Sequence, residues 1–230
     1  MSLRILPDLV QGTDEWAAQR RGMVTASIMG RLVTPTLKVA ANDTSRDLLR
    51  LLVAERITGW TDPVYVSDDM LRGTLDEPVA RDLYAQDRGV PVVEVGFMVY
   101  SPDEPDDDSQ TFEIGYSPDG LVDDDGLIEI KSRRAKAQLR TILDDEVPAE
   151  NMAQIQTGLL VSGRAWCDYV SYCAGMPLYV KRVLPDPAWR DAILAAVTAF
   201  EDTAFAMTTT YRERVQGMPE TERGLYQEMI

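Results

Sequence analysis

Two carboxylates and one lysine lie close together in the middle of the sequence, and these side chains are of the types that bind divalent metal ions and activate water. The stretch 117–131 contains Asp119, an acidic turn with a glycine, and a short apolar alternation that includes Glu129 and Lys131. This pattern predicts a β-hairpin. Because side chains alternate between the faces of a strand, Glu129 and Lys131 project together, and Asp119 can lie opposite Glu129. With the carbonyl oxygen of Ile130, the two carboxylates are hard ligands that suit magnesium or manganese better than zinc.

The order of these residues, Pro118-Asp119 followed by Glu129-Ile130-Lys131, resembles the PD-(D/E)XK nuclease motif. The motif has low specificity, because an acidic chain often contains Glu-X-Lys by chance. The alternative is an exposed strand that carries an ordinary salt bridge. On the motif alone the two interpretations are equally supported, and the rest of the chain must separate them.

The composition restricts the chemistry further. The chain of 230 residues contains no histidine, which excludes Ser-His and Cys-His nucleophiles and most zinc hydrolases. Catalysis would have to use carboxylates, lysine or water activated by a metal. The formal net charge of −15 argues against non-specific binding to nucleic acid. However, basic residues are concentrated at 20–21 and 131–140, near the candidate site, which allows a basic channel inside an acidic shell.

An anion pocket is predicted near the start of the chain. Thr13 and Thr25 stand where two helices would begin, and both are residues that favour the N-cap position. Arg20 lies at the end of the first helix and Ser27 in the first turn of the second. One interpretation is a surface arginine and a helix-start serine. The functional interpretation is that the two side chains and nearby helix N-terminal amides bind a terminal phosphate.

The sequence 11–27, which contains Trp16, Arg20 and Ser27, resembles the N-terminal signature of the YqaJ and phage lambda exonuclease family of viral recombination nucleases. Two independent motifs therefore agree in order and spacing with one family. The resemblance implies a pocket for a 5′-terminal phosphate at Arg20 and Ser27.

Two further segments resemble motifs of the same family. Arg72-Gly73 followed by Glu77 matches a family motif whose glutamate helps to bind metal. The resemblance also implies that Arg72 binds DNA. The segment 151–156 resembles the family's helix whose glutamine, here Gln154, reaches the active site. Without this context, Glu77 and Gln154 would be interpreted as solvated helical side chains.

The apolar patterns predict an α/β fold. Helices are predicted at 13–21, from Thr25, at 45–57, at 67–88 with a kink or a new start at Pro78, at 136–143, from residue 148 or 149, and from Pro187 to near the end of the chain. Strands are predicted at 90–100, 111–116, 127–131, 165–173 and 178–184, with an acidic solvated turn at 101–110. The resemblance implies a restriction-endonuclease-like core, a mixed five-stranded sheet flanked by helices. We expect residues 1–230 to form a single nuclease domain, since no linker or repeat divides them.

Cysteine usage and hydropathy indicate a compartment. Cys167 and Cys173 fall within one predicted strand, roughly 20 Å apart, and therefore cannot form a disulfide. They are expected to be buried thiols, which is consistent with a reducing compartment. No apolar run is long enough to span a bilayer. We expect a cytoplasmic protein with no membrane contact.

The resemblance implies a deoxyribonuclease that depends on Mg²⁺ or Mn²⁺ and binds two ions. Asp119, Glu129 and the Ile130 carbonyl would hold the principal ion, and Glu77 would assist the second. Such ions supply a nucleophile and neutralise charge on the phosphate. Lys131 would orient or deprotonate the attacking water.

The resemblance implies that Gln154 helps to position that water. It also implies an exonuclease that digests one strand of duplex DNA from its 5′ end and leaves 3′ single-stranded overhangs in phage-type recombination. The resemblance implies a ring-shaped homotrimer, with DNA ends and a single-strand annealing protein as partners. Two alternatives stay open. One is an endonuclease or a 3′-directed nuclease on the same fold, and the other is a DNA-binding or assembly protein without catalysis.

Overall fold

The computed structural model describes residues 2–63, 65–102 and 112–223, which build two β-sheets with helices packed around them. The strands are β1 (Ser2–Leu6), β2 (Val24–Thr25), β3 (Val92–Val93), β4 (Phe97–Ser101), β5 (Ile114–Tyr116), β6 (Gly120–Val122), β7 (Gly126–Ser132), β8 (Trp166–Tyr172) and β9 (Tyr179–Val183). The helices are α1 (Asp14–Arg20), α2 (Asp43–Thr58), α3 (Asp68–Arg88), α4 (Ala135–Asp144), α5 (Ala149–Ser162) and α6 (Pro187–Arg214), with a 3₁₀ helix at Ala26–Arg31.

The central sheet is mixed and five-stranded, in the order β3-β6-β7-β8-β9. Strands β7 and β8 run parallel, and the other neighbours are antiparallel. One face of the sheet contributes Leu127 and Tyr169 to a core shared with α2, α5 and α6. The opposite face packs Ile128 and Val170 against α3. The predicted α/β fold with a mixed five-stranded sheet is therefore confirmed.

The strands of that sheet are not all the predicted ones. The range 90–100, predicted as one strand, divides into β3 of the central sheet and β4 of a second, four-stranded sheet in the order β1-β4-β5-β2. Gly96 lies at the break, where a Cβ atom would come 1.7 Å from the carbonyl oxygen of Leu9, so only glycine permits this crossing. The predicted strand at 111–116 is β5, which also belongs to the second sheet, and its residue 111 lies outside the described residues. Strand β1 was not predicted.

The N-terminal helices begin near the predicted positions. Thr13 caps α1, because its side chain accepts a hydrogen bond from the amide of Trp16. The second helix, predicted from Thr25, is a single 3₁₀ segment of 6 residues, and Thr25 makes no capping bond. Helix α2 begins two residues earlier than predicted, behind a capping box formed by Asn42 and Ser45.

Helix α3 is continuous through Pro78, so the alternative of a new helix start there is wrong. Its buried residues are Ala80, Arg81 and Tyr84, and the apolar residues that predicted the helix point to solvent instead. Four of them, each 40% to 65% exposed, form what we call the α3 stripe: Leu71, Leu75, Val79 and Leu83. Helix α3 therefore buries Arg81 and exposes the α3 stripe.

Both cysteines are buried free thiols, as predicted. In the described ranges, no helix combines the length and apolar composition needed to cross a bilayer. The predicted acidic turn lies outside the described residues from position 103 onward.

Candidate active site

The hairpin predicted around the acidic turn is present. Strands β6 and β7 pair antiparallel, with Gly120 opposite Ile128, and one step further along this register Asp119 falls opposite Glu129. Asp123, in the turn, adopts a positive φ of 46°, a conformation that aspartate tolerates better than most residues. Local turn chemistry therefore brings the two carboxylates to one end of the hairpin.

Glu129 and Lys131 lie on the same face of β7, and α5 delivers Gln154 to them. The ammonium group of Lys131 donates to Oε1 of Glu129 at 2.6 Å and to Oε1 of Gln154 at 3.1 Å. Glu129 is fully buried, and its second oxygen, Oε2, has no hydrogen-bonding partner among the described residues. We call Asp119, Glu129 and Lys131 the carboxylate cluster.

Burial and mutual charge perturb the groups of this cluster. Oδ2 of Asp119 accepts a hydrogen bond from the backbone amide of Ile130 at 2.6 Å. Part of Asp119 reaches solvent, but the atoms packed around its carboxyl desolvate it, and this burial, followed by the charge of Glu129, raises its pKa well above the usual value. Burial alone would lower the pKa of Lys131, but the charges of Glu129 and Asp119 outweigh it and raise this pKa. Lys131 is therefore an ammonium ion in this arrangement.

Helix α3 brings Glu77 to the edge of the cluster. Glu77 forms an ion pair with Arg81, one turn further along, and Nε of Arg81 donates to the carbonyl oxygen of Asp119 at 2.7 Å. Burial raises the pKa of Glu77, Arg81 opposes this shift, and the charge of Glu129 adds to it. Glu77 is thus within electrostatic range of the cluster. Arg81 was not predicted as a site residue, although its spacing of four residues from Glu77 is a sequence signal for an ion pair on one helix face.

The cluster contains the ligand types for a hard divalent ion but not a closed set of them. Within the described residues, no three Asp, Glu, Cys or His side chains are grouped closely enough to hold a metal ion. Lys131 and Arg81 are paired with the carboxylates of Glu129 and Glu77. However, a buried carboxylate oxygen without a partner is costly, and Oε2 of Glu129 is such an atom. A cation beside Asp119 and Glu129 would compensate it, so the residues fit magnesium or manganese.

The predicted phosphate residues also meet. Arg20 donates to the hydroxyl of Ser27 at 3.2 Å and to the hydroxyl of Ser117 at 3.1 Å. Its guanidinium stacks on Trp16 at 4.1 Å from the ring centroid, and the indole of Trp16 donates to Ser117 at 2.9 Å. Burial lowers the pKa of Arg20 to about 10, so the side chain keeps its charge at neutral pH. We call Arg20, Ser27 and Ser117 the arginine pocket.

Ser117, which contacts Arg20 and lies near Asp119 in the chain, was not predicted as a site residue. It lies two positions before Asp119, and this adjacency was the one signal that could have identified it. A groove of about 440 Å³ between the 3₁₀ helix and α5 is lined by both Ser27 and Gln154. The groove therefore reaches one residue of the arginine pocket and the glutamine that contacts Lys131. A larger cavity of about 890 Å³, between the end of α2 and the residues after α6, contains none of the predicted site residues.

Helix α2 holds the turn that follows Arg20. The amide of Gly22 donates to Glu55 at 2.8 Å, and Arg56 donates to the carbonyl of Gly22 at 2.6 Å. Arg56 is fixed in turn by a two-bond ion pair with Glu201 of α6. The backbone at the arginine pocket is thus anchored from two helices.

Arg72 lies apart from Arg20 and Ser27. It donates to the hydroxyl of Ser132 at 3.0 Å and to Asp69 at 2.6 Å. Because Ser132 directly follows Lys131, this arginine stands at the far end of β7. The structure therefore does not place Arg72 in the arginine pocket.

Comparison with known proteins gives the relationships of the chain. The family described as the YqaJ-like viral recombinase domain matches residues 15–165. The structure is similar to an alkaline exonuclease, LHK-Exo from Laribacter hongkongensis, with a TM-score of 0.75, 32% identity, and coverage of 90% of this chain and 100% of that one. LHK-Exo in complex with dAMP gives a TM-score of 0.74 and 33% identity at the same coverage.

A phage related exonuclease from Haemophilus somnus 129PT is similar in fold, with a TM-score of 0.59, 13% identity, and coverage of 82% of this chain and 96% of that one. A comparison with curated protein sequences finds no match. The family match covers more than half of the chain, and LHK-Exo is similar over nearly all of it. The chain belongs to the YqaJ-like viral recombinase family.

Proposed function

We propose that this protein is a metal-dependent exonuclease that digests one strand of duplex DNA from its 5′ end and leaves 3′ single-stranded overhangs, as phage-type recombination requires. Family membership and similarity to an alkaline exonuclease support a nuclease. The observation that carries the finer proposal is the position of Ser117, which contacts Arg20 and lies two residues before Asp119. A phosphate bound by Arg20 would therefore lie close to the carboxylates.

Asp119, Glu129 and the carbonyl of Ile130 would hold the principal ion, Mg²⁺ or Mn²⁺, and Glu77 would assist a second. When bound, such ions supply a nucleophile at neutral pH and neutralise charge on the phosphate. The unpartnered oxygen of Glu129 and the nearby carboxylate of Asp119 support this assignment.

Lys131 would orient the attacking water or remove its proton. Its side-chain nitrogen already lies within hydrogen-bonding distance of Glu129 and Gln154. A third N–H remains free for a water or a phosphate oxygen. Gln154 would hold the ammonium in place through its amide oxygen.

The arginine pocket would select the 5′ end. Arg20 supplies a positive charge and charge-assisted hydrogen bonds, which suit a terminal phosphate dianion. Ser27 and Ser117 supply hydroxyl groups that can donate to the same anion. The groove from Ser27 to Gln154 would place the terminal nucleotide between the phosphate and the reacting bond. We assign Arg72, at the end of β7, to backbone contacts farther along the DNA.

We also propose that the single nuclease domain assembles as a homotrimer and acts with a single-strand annealing protein. The exposed α3 stripe supports self-association, because a row of apolar side chains is costly to leave in water. Light scattering after size-exclusion chromatography tests the assembly. The wild type should elute as a trimer, and Leu75→Glu should shift it to a monomer. A monomeric wild type would contradict this assembly.

One cleavage experiment tests the activity. Linear duplex labelled at either the 5′ or the 3′ end, and closed circular duplex, are incubated with Mg²⁺ or with a chelator. We expect immediate release of 5′-labelled mononucleotide, intact circles, and no reaction in the chelator.

The alternatives give different products. Cutting of closed circles would indicate an endonuclease, and early release of the 3′ label would indicate the opposite direction. Binding of DNA without cleavage in Mg²⁺ or Mn²⁺ would indicate a non-catalytic DNA-binding protein.

A further inference from the structure

The hydroxyl group of Tyr116 is buried and has no hydrogen-bonding partner among the described residues. Tyr116 is the last residue of β5 and is only 1% exposed. Its hydroxyl makes no hydrogen bond in the described part of the chain. Buried tyrosine hydroxyls normally find a partner, because an unpaired buried donor loses its bonds to water. The position of this hydroxyl therefore calls for an acceptor.

A complementary atom lies nearby. Oε2 of Glu129 is also buried and also has no partner within the described ranges, and it is an acceptor. Burial, followed by the charges of Glu129 and Asp119, raises the pKa of Tyr116 well above its usual value. The phenol is therefore within electrostatic range of both carboxylates.

Helix α5 fixes the ring in this position. A Cβ atom at Gly158 would come 2.7 Å from Cζ of Tyr116, so α5 lies directly against the ring and glycine is required there. Gly158 is four residues, about one helical turn, after Gln154. The helix that presents Gln154 to Lys131 therefore also limits where the phenol can move.

We propose that Tyr116 is a positioning residue whose hydroxyl donates to Oε2 of Glu129 and holds the carboxylate in the orientation that binds the metal ion. Oε1 then remains with Lys131, and a carboxylate has enough lone pairs to accept these bonds and still coordinate a cation. Carboxylate ligands of metals are commonly held by such outer hydrogen bonds. This role rests on the proposed metal-dependent function.

The test uses Tyr116→Phe, which removes the hydroxyl and leaves the ring against Gly158. Binding of Mn²⁺ is measured by calorimetry and by electron paramagnetic resonance, without DNA. The Mg²⁺ concentration for half-maximal cleavage is measured in parallel. We expect both constants to rise about tenfold, the lower end of outer-shell effects. Excess Mg²⁺ should restore a rate near that of the wild type, and the Michaelis constant for DNA should not change.

Tyr84→Phe is the matched control. It removes the hydroxyl of another fully buried tyrosine, one that donates to Asp168 at 2.8 Å on the opposite face of the sheet. This variant should melt at a lower temperature than the wild type and keep normal metal constants. Tyr116→Phe should instead weaken metal binding, which the loss of an ordinary buried hydroxyl does not do.

Two results would overturn the proposal. If Tyr116→Phe binds Mn²⁺ as tightly as the wild type while the wild type cleaves DNA with Mg²⁺, the positioning role is wrong and the nuclease function stands. If the wild type neither binds Mn²⁺ nor cleaves DNA, the metal-dependent function fails and the positioning role fails with it.

Discussion

The carboxylate cluster and the arginine pocket meet along the chain at Asp119 and Ser117, two positions apart, but they differ in how they are built. In the cluster, Glu129 is fully buried and bonded to the ammonium of Lys131, so opposite charges meet in the central sheet. In the pocket, the guanidinium of Arg20 contacts the neutral hydroxyls of Ser27 and Ser117 and lies over the rings of Trp16 and Phe97. The cluster thus combines two carboxylates with one ammonium group, and the pocket combines one guanidinium with neutral hydroxyl groups.

This difference separates two functions that a nuclease could combine. Two carboxylates beside a single ammonium group suit a divalent metal ion, which can assist cleavage of any phosphodiester bond. A guanidinium that contacts hydroxyl groups and forms no ion pair among the described residues suits recognition of one particular phosphate. Changes in the cluster should therefore abolish cleavage of every end, and changes in the pocket should alter which ends are cleaved.

The largest effect is expected for Asp119→Ala or Glu129→Ala. Each change removes a ligand of the same ion, so cleavage of phosphorylated and hydroxyl ends should fall below detection, as measured by product release in Mg²⁺. Binding to DNA in Ca²⁺, measured by gel shift, should persist at least in part. Asp124→Ala, which removes an exposed carboxylate from the turn of the same hairpin, should behave as the wild type. Full activity in either cluster variant would refute the site assignment.

Lys131→Ala should fold normally and lose turnover by roughly 10²- to 10⁴-fold, the range for positioned acid–base groups. Single-turnover rates at saturating DNA give this value. The loss should be equal for both kinds of 5′ end, since the cluster does not distinguish them. Lys136→Ala removes an exposed lysine from α4 and serves as the control. A loss below tenfold would leave Lys131 as only an ion-pair partner.

Arg20→Ala should lower the rate on 5′-phosphorylated duplex by about tenfold or more, because one or two charge-assisted hydrogen bonds are worth about 1.5–3 kcal/mol. Cleavage of 5′-hydroxyl duplex should change little, so the preference for phosphate is lost. Initial rates on matched duplexes at one salt concentration measure this. Arg50→Ala, on the exposed side of α2, is the control. Equal slowing of both ends would exclude a 5′-phosphate pocket.

The residues that could be predicted from the sequence depend on local geometry. Asp119, Glu129 and Lys131 follow from a hairpin register within 15 residues of chain, and the structure has that register. The positions of Arg20 and Ser27 follow from two successive helix boundaries. Short-range rules settle both cases, because turn chemistry and strand alternation act over a few residues.

The residues that could not be predicted depend on distant partners. The position of Tyr116 depends on the contact between its ring and Gly158 of α5. Strand β1 depends on its pairing with β4, almost 100 residues away. The periodicity of residues 68–88 predicted α3 but not its orientation. The side chain of Arg81 is buried and donates a hydrogen bond to the carbonyl oxygen of Asp119. This orientation of α3 leaves the α3 stripe exposed to solvent.

The smallest expected effect distinguishes direct from indirect action within the arginine pocket. Ser117→Ala leaves the charge of Arg20 in place but removes the hydroxyl that accepts from Arg20 and from Trp16. Because the serine hydroxyl carries no charge, its loss should cost less than the loss of the guanidinium, about 0.5–1.5 kcal/mol, and the rate on 5′-phosphorylated ends should fall about two- to tenfold. That loss is smaller than for Arg20→Ala and, like it, should spare 5′-hydroxyl ends.

The same rate assay on paired duplexes measures this effect, and Ser101→Ala, which removes a hydroxyl from β4 beside Glu113, controls for the loss of a serine. Ser117 precedes Asp119 by only two residues, so a second route exists by which its loss could act. If Ser117→Ala slows phosphorylated and hydroxyl ends equally, the serine acts by placing the backbone of Asp119 and belongs to the carboxylate cluster. If the loss is confined to phosphorylated ends, the serine belongs to the pocket, and the two sites are functionally separable although their residues are nearly adjacent.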